Sequence, residues 1–201
     1  VTDPLDASWG VGSWIWSPLT YDKQSCRFWR SFQIPESAVV KTAQLRIAVD
    51  NGYRLMLDGR EIGIGSDWRS VTEYDIRLLL KPGRHILAIE AFNDNREAGL
   101  LFGLRIELAD GRKILISSGS NWLEVPGDER GWETRQQPSA KWMNAVVVST
   151  FLPRPDQAKA GHWFERVPTM VVKVPMLQPL EVQFWKSGWF QSILIAIVVV
   201  G

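Results

Sequence analysis

Cysteine is nearly absent from this chain. Cys26 stands alone in 201 residues, so no internal disulfide can staple the fold. Histidine is almost as scarce. Only His85 and His162 occur, and neither has Cys or carboxylate neighbours at metal-ligand spacing. No H-E-x-x-H, P-loop or G-x-S-x-G stretch is present, which removes the usual sequence marks of zinc hydrolases, NTPases and serine hydrolases. An excess of one charge is also missing. Lys+Arg 23 against Asp+Glu 22 leaves a net charge of +1, too little to attract nucleic acid, and neither DNA nor RNA is expected as a partner. No cofactor is expected, and no calcium loop of alternating Asp and Asn appears.

Tryptophan, by contrast, is abundant. Eleven Trp among 201 residues suit a sandwich core, a sugar-stacking surface or a membrane interface. The period of two is the other strong signal. In AQLRIAVDNGYRLMLDGREIG (43–63), Leu45, Ile47 and Val49 alternate with Gln44, Arg46 and Asp50, and the pattern resumes at Tyr53, Leu55 and Leu57. Asn51-Gly52 reads as a hairpin turn and Asp58-Gly59 as a second, making the stretch a β meander. Cys26, Phe28, Arg30 and Phe32 alternate in another strand, where Cys26 is expected as a small buried residue. Trp14 and Trp16, two apart, are expected to dock on a core face.

Residues from Ile64 to Arg77, with Gly65, Ser66, Asp67 and Trp68, read as loop material. Lys81-Pro82-Gly83 is a turn, and HILAIEAFN (85–93) is apolar on both faces, as a central strand should be. Glu90 on that strand needs a partner, with Arg105 or Arg46 as candidates. Leu100 to Leu108 alternates cleanly, Asp110-Gly111 turns the chain, and Ile114 and Ile116 continue it. Strands every 8–12 residues with Gly-rich turns indicate a sandwich or barrel.

The segments CRFWRSFQIP, AQLRIAVDNGYRLMLDGREIG, YDIRLLLKPGRHILAIEAFN and GLLFGLRIELADGRKILISSGSNWL together resemble the galactose-binding-like jelly roll. SWIW near the start and KWMNAVVV later extend the resemblance over roughly residues 8–150. This β-sandwich occurs as an accessory module of rhamnosidases and β-galactosidases and in bacterial extracytoplasmic sensor regions. The resemblance implies a non-catalytic domain, with any ligand held by loops at one end. Candidate ligand residues there are Trp68 with Asp67, Asn93 with Asn95, and Trp132 with Asp128 and Arg130. Indole faces stack on pyranose rings, and short amides and carboxylates bond hydroxyls. Structural reading of the same residues has Trp68 and Trp132 pinning loops. Asp50 and Asp58 flank the hairpin as loop carboxylates, solvated or bonded to turn amides, rather than an acid/base pair.

The expected fold class is therefore all-β: a jelly-roll, galactose-binding-like sandwich (1–150), a Pro-rich membrane-proximal connector (151–184) and the start of one C-terminal transmembrane helix (185–201). Five prolines from Pro153 to Pro179 leave the connector little strand or helix patterning. Trp163, Phe164, Met170, Val172 and Met176 make it too apolar for a free linker and are candidate partner contacts. Trp185, Lys186, Trp189 and Phe190 head an uncharged run to Gly201, in the manner of an interface anchor. The run is shorter than the ~20 residues of a span, and a buried C-terminal strand is its structural alternative. A start at Val1 without Met points to a removed leader or to residues preceding it.

The first functional expectation is an accessory subunit docked onto a larger membrane complex, held by lipid and other subunits, with the sandwich in the periplasm or outside the cell. A ligand-sensing region of a membrane receptor such as a histidine kinase, and a surface-tethered module that binds a carbohydrate, are the alternatives. If the tail anchors the protein, Ile195→Lys or Val198→Lys should abolish its recovery in the membrane fraction. A central charge costs ~2.5–3.5 kcal/mol on insertion scales, and unchanged recovery would remove the helix assignment.

Overall fold

The structure, a computed structural model, describes residues 12–66, 71–95, 98–149 and 169–173. The expected anchor residues Trp185, Lys186, Trp189 and Phe190 lie outside the described residues, as do Trp163, Phe164 and Met176. Among the described residues no helix is long and apolar enough to cross a membrane. The described strands are β1 (Trp14–Trp16), β2 (Gln24–Ile34), β3 (Val40–Asp50), β4 (Gly52–Leu57), β5 (Arg60–Gly65), β6 (Val71–Asp75), β7 (Gly83–Asn93), β8 (Gly99–Leu108), β9 (Lys113–Ser117), β10 (Leu123–Val125), β11 (Met143–Asn144), β12 (Val146–Ser149) and β13 (Thr169–Lys173).

They form two packed sheets. The seven-stranded sheet runs β12-β1-β8-β3-β6-β13 with β9 also paired to β8, and the six-stranded sheet runs β11-β10-β2-β7-β4-β5. Every pairing is antiparallel except β6 with β13. Between the sheets lie Leu45, Ile47 and Val49 of β3, Leu55 and Leu57 of β4, Leu87, Ile89 and Ala91 of β7, and Phe102, Leu104 and Ile106 of β8. The period-two pattern of each strand supplies this layer, at about 1.5–3 kcal/mol per fully buried large side chain.

Asn51-Gly52 is not the turn of a hairpin. β3 pairs with β6 and β8, whereas β4 pairs with β5 and β7 in the other sheet. The chain crosses between sheets at Asn51, so both strands aim their apolar residues at one core from opposite sides. Alternation looks the same for a crossing as for a hairpin, which is why the meander reading fails here. Asp58-Gly59 does turn a hairpin, between β4 and β5, with both residues at positive φ. The stretch expected as loop from Ile64 contains the end of β5 and all of β6.

β7 is buried on both faces, as its sequence requires. Its outer residues Ile86 and Ala88 meet Trp29, Met56, Val125, Trp132 and Trp142 in a second apolar cluster. Trp29 and Trp142 meet edge to face at 5.4 Å. The guanidiniums of Arg27 and Arg135 lie over Trp132 and Trp142, at 5.7 and 5.6 Å from the ring centres. Residues 126–142 thus act as a cover on the outer face of the six-stranded sheet.

Glu90 pairs across the sheet with Arg27 at 3.3 Å. The expected partners are engaged elsewhere, Arg46 with Glu73 at 2.7 Å and Arg105 with Glu107 at 3.0 Å. Trp14 and Trp16 are both buried, and Trp16 tilts onto Phe28 in the core. Cys26 is free and buried. Burial and the nearby Glu124 carboxylate push its thiol up to about 12, which leaves it protonated and inert at neutral pH.

Two core tyrosines join the sheets: the hydroxyls of Tyr53 on β4 and Tyr74 on β6 are 2.9 Å apart. Glycines on β5 make room for them, because a Cβ at Gly63 would collide with the Tyr74 phenol and one at Gly65 with the Tyr53 ring. Gly63→Ala should therefore destabilise the sandwich by about 1–3 kcal/mol, the usual cost of overpacking. A lowered urea midpoint with unchanged slope is the expected result.

Candidate functional site

The register defines two poles of the sandwich. At the first pole Gln24 faces Asn93, Gly52 faces Phe92, and Asp50 faces Gly99. Here residues 17–23, 50–52 and 94–95 meet. At the second pole Ile34 faces Gly83 and Val40 faces Leu108, and the 58–59 and 109–112 turns lie there.

Polar side chains organise the first pole. Gln24 is a buried hub: its Oε1 accepts from Trp16 Nε1 at 2.9 Å and from the Tyr21 amide at 3.3 Å, while its Nε2 donates to the Leu19 carbonyl at 2.7 Å. Asn93 is 0% exposed, and its Nδ2 donates to the Tyr21 carbonyl at 3.2 Å. Its Oδ1 is buried without a protein partner. Asn51 Oδ1 accepts from the Asp94 amide at 2.6 Å, and the Lys23 amide donates to the Asp94 carbonyl at 2.8 Å. Asn95 Nδ2 donates to Asp94 Oδ2 at 3.0 Å. Three loops are thereby tied into one surface. Tyr21 is 61% exposed on it and Phe92 41% exposed at its rim. That arrangement offers aromatic faces beside short amides and carboxylates, the chemistry that holds a pyranose.

The sequence candidates separate accordingly. Asn93 and Asn95 come together at the first pole, Asn93 as an internal brace. Asp67 and Trp68 lie outside the described residues, in the connection between β5 and β6. Trp132 is 5% exposed and belongs to the outer cluster with Ile86 and Ala88. Asn93 alternates with Ala91 and Ile89 on the inner face, so Trp132 and Asn93 occupy opposite faces of the six-stranded sheet. Met170 and Val172 lie in β13, in register with Thr72 and Tyr74 of β6, where the sequence showed little strand patterning. Sequence reasoning missed Tyr21, Asn51 and Phe92. Asn51 carried a signal, but its Asn-Gly context was spent on a hairpin. Nothing local marks Tyr21 or Phe92.

A second polar cluster sits at the other pole. His85 Nδ1 meets Asp58 Oδ2 at 2.7 Å, His85 Nε2 meets the Lys81 carbonyl at 2.7 Å, and Asp58 Oδ1 accepts the Ile86 amide at 2.7 Å. Phe32 stacks on the imidazole at 5.3 Å. Both ring nitrogens face acceptors, which suits the imidazolium. Burial alone lowers the His85 pKa, but the Asp58 hydrogen bond, the Lys81 carbonyl and the Asp58 charge outweigh it and hold the pKa above its ordinary value. The pair braces the β4–β5 turn against β7. Among the described residues no three His, Cys, Asp or Glu side chains gather in a metal-holding group.

The architecture is that of a galactose-binding-like β-sandwich. No family model matches the chain. It is 28% identical over 151 residues to an α-L-rhamnosidase of Streptomyces avermitilis, covering 64% of this chain and 14% of that enzyme. The crystal structure of the Streptomyces avermitilis α-L-rhamnosidase complexed with L-rhamnose superposes with a TM-score of 0.64 at 25% identity, over 78% of this chain and 16% of that one. A lectin of Pleurotus ostreatus in its apo form shares the fold at TM-score 0.60 and 22% identity, over 71% of this chain and 43% of the lectin. The rhamnosidase of Dictyoglumus thermophilum does so at TM-score 0.60 and 18% identity, over 72% and 22%. The chain thus spans a small part of the enzymes it resembles.

The histidine pair sets a pH dependence. A folded-state pKa above the unfolded one stabilises the fold fully below the unfolded value of ~6.5, and that contribution is lost as pH rises through the folded pKa. The melting-temperature gap between wild type and His85→Gln should be widest at pH 5.5 and shrink toward pH 9. A gap independent of pH would show that the imidazolium contributes nothing.

Proposed function

We propose that this protein is a non-catalytic carbohydrate-binding accessory module whose ligand surface is the first pole. The observation that carries the reading is the gathering of Tyr21, Asn51, Asp94 and Asn95 onto one surface, braced from within by Gln24 and Asn93. Tyr21 supplies the stacking face, and the amides and carboxylates bond sugar hydroxyls. The neighbours support this reading. One was solved with L-rhamnose and another is a lectin, and the rhamnosidase matches take in only a fraction of each enzyme.

A second element of the reading is attachment. In the rhamnosidases the matching sandwich is one part of a longer polypeptide. Here the apolar run headed by Trp185, Lys186, Trp189 and Phe190 supplies the sequence support for a membrane anchor, and the connector for contact with other subunits. We place the sandwich on the outer side of that membrane, where glycans are met.

Calorimetric titration with L-rhamnose and a glycan panel tests the sugar reading. Tyr21→Ala should weaken binding about tenfold, equivalent to ~1.4 kcal/mol. Leu115→Ser, on the outer face of the other sheet, should leave binding unchanged. A folded protein that binds no sugar on the panel would rule the reading out.

A further inference from the structure

β12 bounds one side of the seven-stranded sheet, where it pairs with β1. Among the described residues no strand takes its other side, so a row of backbone amides and carbonyls stands open there. Its valines are exposed in succession, Val146 at 43%, Val147 at 38% and Val148 at 46%. Successive residues of a strand point to opposite faces, so this open edge is apolar on both. Met143, exposed on β11, carries the apolar strip onto the edge of the other sheet, because the chain steps between sheets at the buried Ala145.

The other long edges carry charge. β5 begins with the exposed Arg60 and Glu61, β9 begins at Lys113, and β13 ends at Lys173. Charged side chains on an edge discourage the addition of a foreign strand. β12 has no such guard: from Met143 to Ser149 there is neither a charge nor a proline.

That contrast selects the occupant. A charged strand laid against β12 would find no counter-charge and would bury its own charges against valine. A second β12 has the matching composition. Antiparallel pairing about a two-fold axis sets Val146–Val148 of one copy against the same stretch of the other, apolar against apolar, and the contact closes on itself. Pairing β12 with β5 of another copy would set valines against Arg60 and Glu61, and it would leave a free β12 to continue the chain of contacts.

We propose that β12 is the surface through which two copies of this chain join, edge to edge and antiparallel, in a closed dimer. The contact completes the open ladder and covers both apolar faces of the strand at once. It stands apart from the carbohydrate reading and does not depend on it.

Sedimentation velocity of the full 201-residue chain in density-matched detergent reads the mass of the assembly. A dimer is expected. Val147→Lys sets like charges across the two-fold and should raise the dimer dissociation constant about tenfold or more. Val148→Lys should act in the same direction, each variant keeping the wild-type far-UV circular dichroism. Ile64→Lys, at an exposed position of edge strand β5 in the other sheet, should leave the dimer intact. Hydrogen exchange gives an answer that needs no variant: the peptide spanning 146–148 should be protected in the dimer and exchange faster on dilution to monomer. A monomeric wild type overturns the proposal, and protection of 146–148 in that monomer would mean that the chain covers its own edge. A dimer that survives both valine substitutions is held elsewhere, the apolar tail included, and also overturns it. So does a dimer lost equally in Ile64→Lys, or one in which 146–148 exchange freely.

Discussion

The middle of β7 has no polar face to give to water. Leu87, Ile89 and Ala91 enter the layer between the sheets, and Ile86 and Ala88 point the other way. A strand of this kind needs cover on both sides. The opposing sheet supplies one. The second is built from residues 126–142, which bring Trp132 and Trp142 onto Trp29. Arg27 and Arg135 finish that cover by laying guanidiniums over the indoles, with Arg27 also paired to Glu90 and Arg135 to Glu129. Among the described residues Trp14, Trp16, Trp29, Trp122, Trp132 and Trp142 are all buried in packing, and the exposed aromatic rings at the first pole are those of Tyr21 and Phe92.

The two poles are held by different means. At the first, amide side chains add to backbone pairing: Gln24, Asn51 and Asn93 each bond the backbone of a loop, which fixes loop shape without filling it with apolar bulk. At the second, Asp58 and His85 lock a tight turn onto β7, and Asp110 pairs with Arg112 in the neighbouring turn. Hydrogen bonds to a carboxylate are stronger than neutral ones, so that pole is built for rigidity.

Much of the fold was legible in the residues, and less of the site. Leu45, Ile47 and Val49 announced a half-buried strand, and Asp58-Gly59 announced the turn between β4 and β5. Asn51-Gly52 misled, since a dipeptide that favours a hairpin serves equally to step between sheets. Glu90 was rightly seen to need a partner, but the choice of Arg27 depends on β2 lying beside β7. Trp132 looked like a loop platform because its neighbours Asp128, Arg130 and Gly131 are loop residues; its burial depends on the apolar outer face of β7, forty residues earlier.

By itself the sequence determined the strongly alternating strands and several turns, the single cysteine and near-balanced charge, and the apolar character of the connector and tail. These are local properties, written in a period of two and in the φ preferences of turn residues. Only the tertiary structure decided which sheet each strand joins, that Tyr21 and Asn93 share a pole, that Asp58 finds His85, and that Thr169–Lys173 runs beside β6. Those outcomes depend on pairings between distant segments, and the alternation of a strand is the same whichever neighbour it finds.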